Sequence, residues 1–210
     1  MTANKKSFLI YFLLLSSITL FICVSLAISL LENNSFDFYI CSFVYEHRTP
    51  KLTSILKFIT LLGNWKFIIL ISIILLFSPR LRQTIGLPTC ICSIFSVICY
   101  SILKPLFARL RPDECFRLIS ENGFSYPSGH SMNCMVFYGI LLILILRSIN
   151  NLLIKKFIGL FFFALIFFIG FSRIYLGVHY PTDVIGGWSF GLFIISIFSL
   201  IDYNKNTFNK

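Results

Sequence analysis

Two histidines, three cations and one carboxylate stand out against an otherwise apolar chain. Lys104 and Arg111 lie in KPLFARLRP (Lys104–Pro112), and Ser128, Gly129 and His130 in PSGH (Pro127–His130). Arg173, His179 and Asp183 lie in SRIYLGVHYPTD (Ser172–Asp183). Ionisable groups at membrane depth are expensive, and are functional candidates by default.

Each residue type points to a task. Guanidinium groups bind phosphate oxygens in a bidentate fork, and Lys supplies a point charge. Three converging cations match a phosphoryl group whose charge spreads over its oxygens. Lys104 and Arg111 stand two helical turns apart, which on one helix gives them a shared face. PSGH reads as a bend, fixed by Pro127 and Gly129, that opens a helix. Its Ser128 serves as an N-cap and a hydroxyl donor. The amides and positive dipole end of such a helix cradle an anion. His179 and Asp183 are spaced i, i+4, so the carboxylate takes one ring N–H and leaves the other nitrogen free to attack phosphorus. Pro181 between them marks a helix start and loosens that spacing. His130 is placed to act as general acid. Singly, each residue has a blander account: a cation that snorkels to the interface, a satisfied core histidine, an ordinary cap. As a group they favour phosphate chemistry. His47, in the first outer loop, fits the bland account and receives no role.

The elements that must position these residues are membrane spans. Of 210 residues 57% are hydrophobic and 12% charged, with 25 Phe; soluble domains carry about 25% charged residues. Six apolar spans emerge: Ser7–Leu31, Leu52–Phe77, Thr84–Leu103, Met132–Leu146, Phe157–Phe171 and Val184–Ile201. Gly63, Asn64 and Lys66 interrupt the second, which reads as a short interfacial helix leading into a span from Trp65. The first is longer than a signal-peptide core and reads as a retained helix. Strand alternation is absent, which excludes an outer-membrane barrel. The fold class is therefore all-α: a polytopic membrane protein with six transmembrane helices in one bundle, a single domain over residues 1–210.

An even number of spans puts both termini on one side, with Lys5, Lys6, Arg80, Arg82, Arg147, Lys155, Lys156, Lys205 and Lys210. The three motifs then meet on the opposite face. The raw basic count does not separate the sides, and acids count little in the orientation rule. Several of the far-side cations belong to the motifs, so the termini are placed in the cytoplasm and the active site at the outer membrane–water interface of the cell's inner (plasma) membrane. The net charge of +10 sits in short loops between spans, which favours anionic lipid headgroups over nucleic acid as the partner. Most of the seven cysteines fall in apolar runs as small hydrophobes. Cys90 and Cys92 have no second pair at zinc spacing, and Cys41 and Cys115 fall in loops where they pair only if that side is oxidising.

The pattern Lys-x6-Arg-Pro, Pro-Ser-Gly-His, Ser-Arg-x5-His-x3-Asp resembles the type 2 phosphatidic acid phosphatase family, in order and without substitution, over about 80 residues. The stretches FSYPSGHSMN and SRIYLGVHYPTDVIGG look most like its small bacterial members. The resemblance implies metal-independent phosphatase chemistry with no cofactor. It implies that His179 attacks phosphorus, Asp183 orients it, and His130 protonates the leaving group and then activates water. It also implies that Lys104, Arg111, Ser128, Gly129 and Arg173 hold the phosphate. The expected partners are the bilayer and a membrane phospholipid or polyprenyl phosphate: phosphatidylglycerophosphate, phosphatidic acid or undecaprenyl diphosphate. No nucleic acid and no obligate protein partner is expected. A lipid transporter would place its polar groups at the bilayer midplane, and a non-catalytic lipid binder would lack one of His179, His130 or Arg173.

Overall fold

The computed structural model describes residues 3–30 and 34–208. Leu31 of the first expected span and the basic Lys210 lie outside them, and the side chains of Lys6 and Lys205 are likewise not described. The described residues form eight α-helices: α1 (Ala3–Leu30), α2 (Ser35–Glu46), α3 (Pro50–Leu61), α4 (Trp65–Phe77), α5 (Leu87–Phe107), α6 (Gly129–Arg147), α7 (Leu152–Tyr175) and α8 (Pro181–Phe208). A π-helical turn at Arg82–Gly86 leads into α5.

Among the described residues, α1, α6, α7, α8 and the run Arg82–Phe107 are each long and apolar enough to cross a membrane. The helices α3 and α4 pass the same test only as a pair, bent by 46°. At 13 residues α4 is about 20 Å long, short of the roughly 30 Å hydrocarbon core. The chain is therefore an all-helical, multi-pass membrane protein.

The α3–α4 bend has a local cause. Asn64 caps α4 by accepting the Lys66 N–H, and Gly63 leaves room for what lies opposite. A Cβ at Gly63 would sit 2.5 Å from Ile169 Cγ2 and 3.3 Å from His130 Cδ2. The bend thus brings the Gly63 backbone up against Ile169 and the His130 ring.

Two further glycines set the spacing around the polar end. A Cβ at Gly187 would meet the Ser128 carbonyl at 2.7 Å, and one at Gly191 would meet the Met132 carbonyl at 3.1 Å. Gly187 and Gly191 form a small-xxx-small stripe on which the start of α6 rests, as close helix pairs in membranes require. The other end of the α6–α8 pair is held by Arg147, which donates to both oxygens of Asp202 at 3.1 and 2.6 Å.

Two helices, α2 and α3, fill most of the segment 34–61. Asn34 caps α2 by accepting the Phe36 N–H, and Thr49 caps α3 by accepting the Leu52 N–H, with Pro50 in the first turn. Short polar caps there nucleate helices in a stretch whose charges hid them. Cys41 is consequently buried on α2, while Cys115 is exposed; both are free thiols. His47 ends α2, its ring bonded to the Phe43 carbonyl at 2.8 Å.

Candidate active site

The C-terminal ends of α5 and α7 and the N-terminal ends of α6 and α8 converge, and every motif residue lies there or in the two connecting loops. One sequence expectation needs correction: Lys104 and Arg111 do not share a helix. The helix α5 ends at Phe107, and Ala108 takes a left-handed conformation with φ of 45°. The chain therefore turns, and Arg111 returns to the site from the following loop. Lys104, in the last turn of α5, donates to the Phe124 carbonyl.

His179 and Arg173 are brought together by the turn between α7 and α8. The amides of Val178 and His179 both donate to the Arg173 carbonyl at 3.2 Å. Gly177 makes this turn possible, with φ of +74° and the Phe116 carbonyl 2.2 Å from where a Cβ would stand. His179 itself precedes α8, and Asp183 lies in that helix's first turn. The i, i+4 contact survives because the Asp183 carboxylate folds back as a cap, accepting the Tyr180 N–H at 2.8 Å.

The imidazole of His179 is 2% exposed and held at both nitrogens. Nδ1 faces Asp183 Oδ2 at 3.3 Å, and Nε2 faces Arg111 Nη1 at 3.1 Å. A guanidinium can only donate, so Nε2 accepts and the ring proton resides on Nδ1, where the carboxylate takes it. The lone pair of Nε2 is thereby directed away from Asp183 and toward the cations. Burial first, then the charges of Arg111, Lys104 and Arg173, hold the His179 pKa well below its ordinary value.

That shift has a readable consequence. A nucleophilic imidazole must be neutral, and a depressed pKa keeps it neutral as pH falls. Were His179 the nucleophile of a hydrolase, the acid limb of kcat/KM would fall below pH 6.5 once the substrate's own ionisation is corrected for. Arg111→Gln should move that limb to higher pH. An acid limb at or above the ordinary histidine value would show that His179 is not the group titrating.

Arg173 is 1% exposed. Its Nη1 donates to Thr60 Oγ1 at 2.8 Å and its Nη2 to Glu121 Oε1, while its buried Nε has no partner among the described residues. Arg111 donates to the carbonyls of Gly123, Asn122 and Val178 at 3.0, 3.1 and 2.8 Å. Its Nη2 lies 4.0 Å from Glu121 Oε2. The carboxylate of Glu121 therefore sits between two guanidinium groups. Ser128 is the N-cap of α6, its Oγ accepting from the Ser131 amide and hydroxyl at 3.4 and 3.0 Å. Gly129 and His130 form the first turn that follows. The His130 ring lies within electrostatic range of Arg173, His179, Arg111 and Lys104, and has no hydrogen-bond partner among the described residues.

Sequence reasoning missed four residues here: Thr60, Glu121, Arg109 and Asp37. Arg109 donates to Asp183 Oδ1 and to Asp37 Oδ2, each at 2.6 Å. Burial alone would lower its pKa, but the Asp183 and Asp37 carboxylates more than offset that and raise it. Arg109 stands inside the KPLFARLRP stretch, so proximity was its signal. Glu121 was one of three acids, with Asp113 and Glu114, in a loop that also holds cations and breakers, and nothing set it apart from the other two.

A helical bundle that gathers a neutral, carboxylate-oriented imidazole, a second imidazole and three cations at one end of its spans defines a class. The PAP2 superfamily model matches residues 85–207, and the chain belongs to that superfamily. Phosphatidylglycerophosphatase B of Bacillus subtilis is 36% identical over 110 residues, which are 52% of this chain and 54% of that protein. The chain thus matches about half the length of that relative. The undecaprenyl-diphosphatase of Sulfolobus acidocaldarius is 27% identical over 186 residues, 83% of this chain and 84% of that one. The crystal structure of the transmembrane PAP2 type phosphatidylglycerolphosphate phosphatase from Bacillus subtilis superposes with a TM-score of 0.79 at 30% identity. It covers 90% of this chain and 95% of that one. These relatives are phosphatases by name.

Proposed function

We propose that the chain hydrolyses a lipid phosphate at the extracytoplasmic face of the inner (plasma) membrane, with its termini in the cytoplasm. The observation that carries this reading is the Glu121 carboxylate lodged between Arg173 and Arg111, beside a His179 whose Nε2 is free of its own proton. An anion already rests where cations meet a nucleophile, which is the arrangement a phosphoryl group needs.

On this reading the substrate phosphate displaces Glu121 from the guanidinium pair. Arg173 and Arg111 hold its oxygens as forks, Lys104 adds a point charge, and Ser128 and the Gly129 amide at the start of α6 supply further donors. His179 Nε2 attacks phosphorus, an N–P bond forms and the bond to the lipid oxygen breaks. His130 gives its proton to that oxygen, which leaves as the lipid alcohol, or as the lipid monophosphate when the substrate is a diphosphate. Asp183 keeps the Nδ1 proton facing itself and stabilises the ring as it gains positive charge. Water then attacks the phosphohistidine, His130 takes its proton, and inorganic phosphate leaves.

Purified protein assayed side by side on phosphatidylglycerophosphate, phosphatidic acid and undecaprenyl diphosphate tests the reading. Phosphate release from at least one is the expected outcome. Release from none, by protein that still binds lipid, would point instead to a non-catalytic lipid binder.

A further inference from the structure

We infer that Asp37 and Arg109 are positioning residues for Asp183, a relay that begins on α2 and ends at the proposed nucleophile; this rests on the phosphatase reading above. Asp183 is completely buried. Its Oδ2 accepts from the Tyr180 amide and faces His179 Nδ1, so its direction decides where the imidazole points. Its Oδ1 accepts from Arg109 Nη1 at 2.6 Å. A buried carboxylate requires a charged partner, and a planar fork fixes that partner's orientation as well as its distance.

Arg109 is in turn held in one plane. Its Nη1 also donates to Thr182 Oγ1 at 2.7 Å, and its Nη2 donates to Asp37 Oδ2 at 2.6 Å. Its guanidinium carbon stands 4.3 Å from the centre of the Tyr180 ring. Asp37 closes the ring of contacts: Oδ1 accepts the Thr182 N–H at 2.9 Å and Oδ2 accepts the Thr182 hydroxyl at 2.6 Å. The first turn of α8 is thus clamped by α2 from one side while Arg109 reaches past the clamp to Asp183. Asp37, 2% exposed and remote in sequence, is too well engaged to be a surface charge. Neither residue is bonded to His179, His130, Arg111 or Arg173 in the structure, so each would act on the chemistry through Asp183.

A purely architectural role, gluing α2 to α8, makes a different prediction from a positioning role. Glue affects stability and would lower activity irrespective of Asp183. Positioning affects kcat, leaves KM alone, and matters only while Asp183 is there to be positioned. The test uses the full chain in detergent with dioctanoyl phosphatidic acid. Arg109→Gln is expected to lower kcat about 30-fold and Asp37→Asn about 10-fold, with KM within about twofold and partial recovery in Arg109→Lys. Asp183→Asn should itself lower kcat while sparing KM. In that background the Asp37 and Arg109 substitutions should each cost less than about twofold more, because residues acting as a unit are non-additive. Losses that multiply undiminished in Asp183→Asn, or a raised KM at unchanged kcat, would overturn the relay. If Arg109→Gln does not fold, Arg109→Lys and Asp37→Asn decide by the same comparison. A wild-type protein inactive on every lipid phosphate would overturn the phosphatase reading and the relay with it; an active wild type with additive variants would overturn the relay alone.

Discussion

His179→Ala is expected to reduce phosphate release by about 10,000-fold or more, the largest effect of any single substitution here. The reasoning runs through both ring nitrogens. Nδ1 is committed to Asp183 at 3.3 Å, so bond formation falls to Nε2, whose lone pair meets Arg111 at 3.1 Å until that guanidinium turns to the phosphate. Removing the ring removes the sole nucleophile in the proposed sequence, and the cations that remain bind phosphate without a group to transfer it to. His179→Ala should therefore still bind a phosphate analogue such as vanadate and fold as the wild type does. Chelation with EDTA is expected to leave wild-type turnover unchanged, since charge on the phosphate is met by Lys104, Arg111 and Arg173. Turnover within about tenfold of wild type in His179→Ala would remove His179 from the chemistry.

Arg173→Ala should lower kcat/KM about 1,000-fold, and Arg173→Lys about 100-fold, or roughly 2.7 kcal/mol of transition-state stabilisation. A lysine keeps the charge but loses the planar fork. In the structure that fork spans Thr60 and Glu121 with two different nitrogens and still has Nε to offer. Stability should fall much less than activity, because Glu121 is 29% exposed and can turn toward water when its partner goes. The contrast separates a phosphate-binding guanidinium from one that merely joins α7 to α3. Equal activity in Arg173→Lys, or a loss of folding in proportion to the loss of activity, would favour the second role.

The parts of this site visible in the sequence were those whose chemistry is local. Pro127, Ser128 and Gly129 announce a capped helix start, and the structure has Ser128 capping α6. Ser172–Asp183 holds a turn and two helix ends within one short stretch, so Arg173, His179 and Asp183 had little room to separate. The long apolar runs could only be helices, because nothing but a helix satisfies its own backbone in lipid. What stayed hidden depends on chain reversal or on distant partners. Nothing about an alanine at 108 signals a left-handed residue, so Lys104 and Arg111 looked like neighbours on one helix. Asp37 carries no local signal in the sequence, because its partners Thr182 and Arg109 come from distant parts of the chain. Thr60, a hydroxyl inside an apolar span, gains meaning only from the guanidinium it meets. Glu121 reads as a solvated loop residue until the loop folds it between two arginines.

The same features show why the site is built at helix ends. Cations packed together repel one another, and burying them away from water adds to the cost. At the end of the bundle, loop carbonyls from Asn122, Gly123, Phe124 and Val178 take up the donors of Arg111 and Lys104. Glu121 supplies the opposing charge.

Trapping the covalent intermediate tests the central claim most directly. Protein mixed with lipid phosphate labelled on phosphorus, then quenched with alkali within one turnover, should carry label that is stable to base, released by acid and located at residue 179. Label on any other residue, label that persists in His179→Gln, or full turnover with no protein-bound phosphorus at any quench time would contradict it.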